Sequence, residues 1–154
     1  MRQATLSFLI KDNGVCLAMK KRGFGVGKWN GVGGKVADGE TVVAAASRET
    51  EEEIGVRVLP EELEPKAVLR FYFNEKPEWN QEVHVFVAHR WDGEPQETEE
   101  MRPQWYRHDA LPFSEMWIDD PHWLPNVLAG KKLEADFYFN NDGAELDKFD
   151  VREV

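Results

Sequence analysis

Between Glu40 and Gly55 the chain reads ETVVAAASRETEEEIG, its one long run in which residue after residue favours a helix, closed by a glycine suited to the C-terminal cap. A second, shorter helix is expected at PHWLPNVLAG, with Gly130 ending it. Between and around these the pattern is that of strands. ATLSFLI alternates, KDNG is a turn signal, and VCLAMK reads as the hairpin partner. Further strands are expected at VRVL, AVLRFYF, EVHVFVAHR and QWYRH, and a last hairpin, ADFYFNNDGAELDKFDV, turns at Asn141, Asp142 and Gly143. Two helices among so many strands place the chain in the α+β class, as a mixed sheet packed between helices in an α/β/α sandwich. The segment KRGFGVGKWNGVGGKV breaks both periodicities. Its glycines, Gly23, Gly25, Gly27, Gly31, Gly33 and Gly34, suit a loop followed by a short irregular strand.

A length of 154 residues fits one domain, residues 1–154, large enough to close a hydrophobic core. The 42% apolar and 12% aromatic content is that of a folded chain despite 31% charged residues. No apolar run approaches the roughly 20 residues needed to span a bilayer, and the beginning of the sequence lacks the apolar core of a secretory signal. A cytoplasmic location and no membrane partner are expected. Cys16, the only cysteine, lies in an apolar alternating run and reads as a buried thiol. None of His84, His89, His108 and His122 has metal-ligand spacing. A net charge of -10 argues against binding a nucleic acid polymer through a general basic surface. An anionic substrate then needs local help, from a divalent cation or from the basic cluster Lys20, Lys21, Arg22, Lys28 and Lys35 beside the glycines.

The helix has an odd distribution of charge. At about 100° per residue, Val43, Ala46, Thr50 and Ile54 share a packing stripe, Glu49, Glu52 and Glu53 share a neighbouring face, and Glu51 points to solvent. Like charges at these spacings repel, and they stand near a helix C-terminus, where the macrodipole disfavours them. A solvated charged face is the ordinary explanation of an acidic helix. A hard cation accounts for this one better, because carboxylate oxygens are what Mg²⁺ or Mn²⁺ prefer and binding removes both penalties.

From Gly34 onward, Gly34, Glu40, Arg48, Glu49, Glu52, Glu53, Gly55 and Val56 fall into the pattern G-x5-E-x7-R-E-U-x-E-E-x-G-U, where U is bulky and apolar. The match resembles the Nudix box, with Thr50 in place of the first U. The resemblance implies the Nudix fold and hydrolysis of a nucleoside diphosphate linked to another group. It makes Glu49, Glu52, Glu53 and the Gly34 carbonyl metal ligands, Arg48 an orienting partner, and either Glu52 or Glu53 the base. Mg²⁺ is the implied cofactor, with Mn²⁺ as a substitute.

Outside the box, MKKRGFGVGKWNGVGGKV, VHVF, EMRPQW, MWIDD and the terminal VREV resemble the animal-type MutT homologues, a branch of that family acting on oxidised purine nucleoside triphosphates. That likeness implies hydrolysis of 8-oxo-dGTP, and 2-hydroxy-dATP as well, to monophosphate and pyrophosphate; a monomer is expected. It places Asn30, Trp117, Asp119 and Asp120 on the purine, Phe71 in the pocket wall, Thr5 and Lys20 close to the nucleoside, and Glu100 near the metals. The segment EKPEWNQEVHVF and Ile118 depart from that branch. Read from the residues alone, Trp117 offers a flat stacking face or a core side chain, and Phe71, Phe73 and Trp79 belong to core or rim. Asp120 before Pro121 reads as a helix N-cap. Two adjacent carboxyls in a partly buried site also share a proton, one donating and one accepting. Two other functions remain open at this point: hydrolysis of a different nucleoside diphosphate derivative, and nucleotide sensing without turnover.

Overall fold

The computed structural model describes residues 1–154. Eight strands and two helices alternate in the order β1 (Arg2–Lys11), β2 (Gly14–Lys20), β3 (Trp29–Asn30), α1 (Val42–Ile54), β4 (Glu64–Phe73), β5 (Gln81–Ala88), β6 (Met101–Arg107), α2 (Leu124–Leu128), β7 (Leu133–Asn140) and β8 (Glu145–Glu153). They form one sheet in the order β3-β2-β1-β5-β4-β7-β8, with β6 added alongside β2. β1 runs parallel to β5 and β4 parallel to β7, whereas β4 and β5, β7 and β8, and β2 and β6 are antiparallel. Parallel neighbours need long crossovers: α1 lies in the connection from β1 to β5, and α2 in the connection from β4 to β7.

Both faces of the sheet are covered, and β1 shows why its sequence is apolar almost throughout. Phe8 and Ile10 point into one core with Val15, Leu17, Trp123, Leu124 and Val127. Leu9 points into the other, with Cys16, Ala46, Ile54, Val56 and Val58. A strand buried on both faces loses the polar half of its alternation. The mixed sheet between helices is therefore the architecture expected from the sequence. Burial pushes the Cys16 thiol up to about 12, so it remains protonated and packs as a small apolar group.

α1 begins where the Thr41 hydroxyl accepts the Ala44 N–H at 3.2 Å and stops where Gly55 turns left-handed at φ 71°. Its buried side chains are Ala45, Ala46, Thr50 and Ile54. Val43 is only half-buried, so the packing stripe lies slightly to one side of the expected one. Thr50 is buried without cost to its hydroxyl, which donates to the Ala46 carbonyl at 2.8 Å. A threonine thus replaces a bulky apolar residue with no orphaned polar group.

Two expected elements differ. VRVL is not a strand: only Arg57 forms a bridge, to Asp92, while Val56 and Val58 are apolar because they plug the core under α1. PHWLPNVLAG is helical only over Leu124–Leu128, because the backbone of Trp123 leaves helical geometry at φ -138° and a separate short turn, Asp120–His122, precedes it.

Backbone hydrogen bonds hold the glycine segment against β1, Thr5 N–H donating to the Gly34 carbonyl at 2.8 Å and Ser7 N–H to the Val32 carbonyl. A Cβ on Gly33 would lie 1.8 Å from the Thr5 carbonyl oxygen, a backbone contact that no rotamer relieves. Gly33→Ala should therefore lower unfolding free energy by about 3 kcal/mol or more in urea titrations. A loss under about 0.5 kcal/mol would show that the segment does not lie where the contact requires.

Candidate active site

A cleft of about 520 Å³ opens between the glycine segment, the first half of β1, the end of β4 and the turn from Trp117 to Trp123. Thr5, Lys20, Asn30, Gly34, Phe71, Trp117, Asp119 and Asp120, which stand far apart in sequence, all line it. The carboxylates of α1 meet its wall at Gly33 and Gly34. Glu53 accepts the Gly33 N–H at 2.8 Å, and a Cβ on Gly34 would come within 2.6 Å of the Glu49 carboxyl carbon. Glycine at 34 is what allows the carboxylate to reach the loop backbone.

Arg48 organises the other acids. It grips Glu40 with two bonds of 2.8 and 2.9 Å, reaches Glu49 at 2.9 Å and Glu52 at 3.1 Å, and donates to the Lys35 carbonyl at 3.2 Å. The Arg48 guanidinium, helped by the Ala37 N–H, draws the Glu40 carboxyl down to about 2. Part of the charge crowding is thus relieved within the protein. As a result the three glutamates do not all meet: Glu49 and Glu52 turn to Arg48, Glu53 turns to Gly33, and no three acidic, histidine or cysteine side chains stand close enough to enclose an ion. Closing a cage takes rotation of Glu49 and Glu52 toward Glu53. The donor set nevertheless fits a hard divalent cation, being oxygen throughout and including the Gly34 carbonyl. Burial raises Glu53 to about 7, and the Gly33 N–H only partly opposes the rise, so a nearby positive charge would stabilise its ionised form. Glu51 faces solvent and meets only Arg57, at 3.4 Å. Glu100 is bound to Arg22, which lowers its pKa, and its charge is felt at Glu53.

The basic cluster divides. Lys20, Lys28 and Lys35 line the cleft, whereas Lys21 pairs with Glu97 at 2.6 Å and Arg22 with Glu100. Asn30 gives its side-chain oxygen to the Gly31 N–H at 2.9 Å, so its amide NH₂ is the group it can offer a ligand. None of the four histidines lines the cleft.

Asp119 and Asp120 are 3% and 2% exposed, which overturns the N-cap reading of Asp120: no side chain caps the Asp120–His122 turn. The reason is burial, which turns both carboxyls toward the interior of the cleft. Asp119 accepts the Trp123 indole N–H at 2.7 Å, while Asp120 Oδ2 is buried with no partner. Desolvation raises both carboxyls, and Asp120 rises further because the Asp119 charge faces it. Of the two, Asp120 is the carboxyl that keeps a proton more readily.

Trp117 is half-buried and forms a wall rather than core. Phe24 stacks on it at 5.3 Å and 29°, and Lys28 Nζ lies 5.3 Å from its ring centroid. Phe24, Trp79 and Trp123 were not singled out as site residues from the sequence. A phenylalanine set between Gly23 and Gly25 carried a usable signal, since a loop gives an apolar ring no core of its own to fill.

The sequence matches the model of the NUDIX domain over residues 1–127. It is 43% identical over 153 residues to the oxidized purine nucleoside triphosphate hydrolase of Mus musculus, covering 99% of this chain and 96% of that one. The protein of the same name from Danio rerio is 47% identical over 135 residues, covering 88% and 85%. Among solved structures, the mutator MutT protein of Bacillus halodurans superposes with a TM-score of 0.85 at 25% identity, covering 98% of this chain and 97% of that one. The chain belongs to the Nudix family, whose hydrolases use a divalent metal.

The raised Glu53 has a consequence for stability. A carboxyl whose folded pKa exceeds its unfolded value destabilises the fold progressively as pH rises between the two, here from about 4.5 to about 7. Glu53→Gln, which can still accept the Gly33 N–H, should be more stable than the parent by about 2 kcal/mol near pH 8 in chelator, with the difference vanishing near pH 4. Parallel stability curves across that range would contradict the burial of this charge.

Proposed function

We propose that the protein hydrolyses oxidised purine nucleoside triphosphates, 8-oxo-dGTP foremost and 2-hydroxy-dATP as a second substrate, to monophosphate and pyrophosphate. The observation that carries this reading is the unpartnered Asp120 oxygen beside Asp119, buried in the same cleft as Trp117 and opening toward the carboxylates at Gly33 and Gly34. A neutral Asp120 donates a hydrogen bond and an ionised Asp119 accepts one, so the pair reads a purine edge that offers both. Trp117 gives the base a flat face. Asn30 adds an amide donor, Phe71 an apolar wall, and Thr5 and Lys20 lie beside the nucleoside.

The triphosphate end meets Lys20, Lys28 and Lys35. Glu49, Glu52, Glu53 and the Gly34 carbonyl would hold Mg²⁺, or Mn²⁺ in its place, with Glu100 nearby; the ion would offset phosphate charge and acidify a bound water. Arg48 pairs with Glu49 and Glu52 and would orient them, once they turn toward Glu53, for the ion they share. Of the two candidate bases, Glu53 is the better placed: it is held against the cleft wall at the Gly33 N–H, whereas Glu52 stands 57% exposed on Arg48. The names of the mouse and zebrafish relatives support the substrate class. We place the chain in the cytoplasm as a monomeric single domain, residues 1–154, without a nucleic acid polymer as partner. No helix is long and apolar enough to cross a membrane.

The test is pyrophosphate release across 8-oxo-dGTP, 2-hydroxy-dATP, dGTP, dATP and a nucleotide sugar. The oxidised purines should give the highest kcat/KM, and Asp119→Asn should lower that value by about 10² or more, because the one amide oxygen goes to the Trp123 indole N–H and leaves an NH₂ donor where the second carboxylate oxygen accepted. Glu52→Gln and Glu53→Gln should reduce turnover by orders of magnitude, and Glu51→Gln should change it little. A preference for the nucleotide sugar, or equal rates on oxidised and normal purines in parent and Asp119→Asn alike, would overturn the assignment.

A further inference from the structure

Phe24 is 54% exposed, yet its ring is not adrift. It sits on a turn flanked by Gly23, Gly25 and Gly27, all with φ between 83° and 87°, so the backbone there adopts a geometry few other residues share. Two aromatic contacts hold it: the face of Trp117 at 5.3 Å and the edge of Trp79, also at 5.3 Å. Trp79 is itself held by two contacts of its ring and by a bond of its neighbour. Its ring meets Phe73 at 5.7 Å, Lys76 Nζ lies 4.3 Å from its centroid, and the next residue, Asn80, accepts the Phe73 N–H at 2.7 Å. The exposed ring on the adaptable turn therefore leans on a tryptophan anchored to β4. Trp117 is also approached from the turn by the backbone, since a Cβ on Gly25 would stand 3.2 Å from its ring.

We propose that Trp79 is a positioning residue for base binding: it holds Phe24 against Trp117, so the aromatic edge of the cleft is assembled before a purine enters. The inference rests on the purine-binding role assigned to the cleft above. Its physical content is preorganisation. Without Trp79 the Phe24 ring and its turn sample other arrangements, and a ligand that needs the ring in place must bear the cost of ordering it. Trp79 acts through Phe24, so its effect should disappear once Phe24 is removed.

The experiment combines two readouts on the parent, Trp79→Leu, Trp79→Phe, Phe24→Leu and the double leucine variant. The first is calorimetric binding of 8-oxo-dGMP. Trp79→Leu should weaken it by about 3- to 10-fold, Trp79→Phe should restore most of the loss, and Trp79→Leu should add less than about 2-fold in the Phe24→Leu background. The second is amide hydrogen exchange of the ligand-free protein, where Trp79→Leu should speed exchange in residues 23–28 while leaving the β1 amides protected, a pattern that general destabilisation would not give. Additive losses in the double variant, or unchanged exchange in residues 23–28, would overturn the inference even if the parent binds the nucleotide tightly. Exchange that responds as expected in a parent that binds no purine nucleotide would support the clamp and sink the functional reading.

Discussion

The backbone of Gly33 and Gly34 lies between β1 and α1 with no room for a side chain on either residue. On one side it presses on the Thr5 carbonyl, and on the other it meets the carboxylates of Glu53 and Glu49. This three-layer contact joins the sheet to the acidic helix. It also brings the helix acids to the wall of a cleft whose far end is built from the Trp117–Trp123 turn. A side chain at position 33 would push the loop off β1, and one at position 34 would displace Glu49, so the catalytic reading and the fold rest on the same few atoms.

Electrostatics divides the cleft into two environments. At the α1 end, Arg48 gathers Glu40, Glu49 and Glu52 around one guanidinium, while burial raises the Glu53 carboxyl to about 7. At the other end two carboxyls are buried side by side, both raised by desolvation. The first environment suits added positive charge; the second suits an uncharged hydrogen-bonding edge. A nucleotide carries complementary groups at its two ends, a polyanion and a neutral base, and one molecule can satisfy both.

Much of this was legible in the sequence because it rests on local chemistry. α1 showed its cap at Gly55, its apolar stripe and its outward Glu51, all consequences of helix geometry at known spacings. The box pattern singled out Glu49 and Glu53, which meet the loop backbone at Gly34 and Gly33, for the same reason. What escaped was set by tertiary context. Val56 and Val58 look like strand residues but are apolar because they fill a core. Asp120 has the local signature of a cap, and only the packing around Trp123 reveals that its carboxyl is buried instead. Arg48's hold on Glu49 and Glu52 could be guessed from its place in the box, but not its cost to their convergence, which depends on rotamers. Phe24 and Trp79 are 55 positions apart and meet only because β4 and the glycine turn border the same cleft.

The crowded carboxylates of α1 and the Gly34 carbonyl are proposed to hold a divalent cation at one end of the cleft. Paramagnetic broadening by Mn²⁺ in an NMR titration tests it most directly, because the effect falls steeply with distance from the ion. The account predicts that substoichiometric Mn²⁺ broadens the amides of Gly33, Gly34 and Glu49–Glu53 first, leaves Trp123–Leu128 sharp, and is reversed by excess Mg²⁺. Broadening that starts elsewhere, or that spreads evenly over the acidic surface with no preference for Gly34, would contradict it.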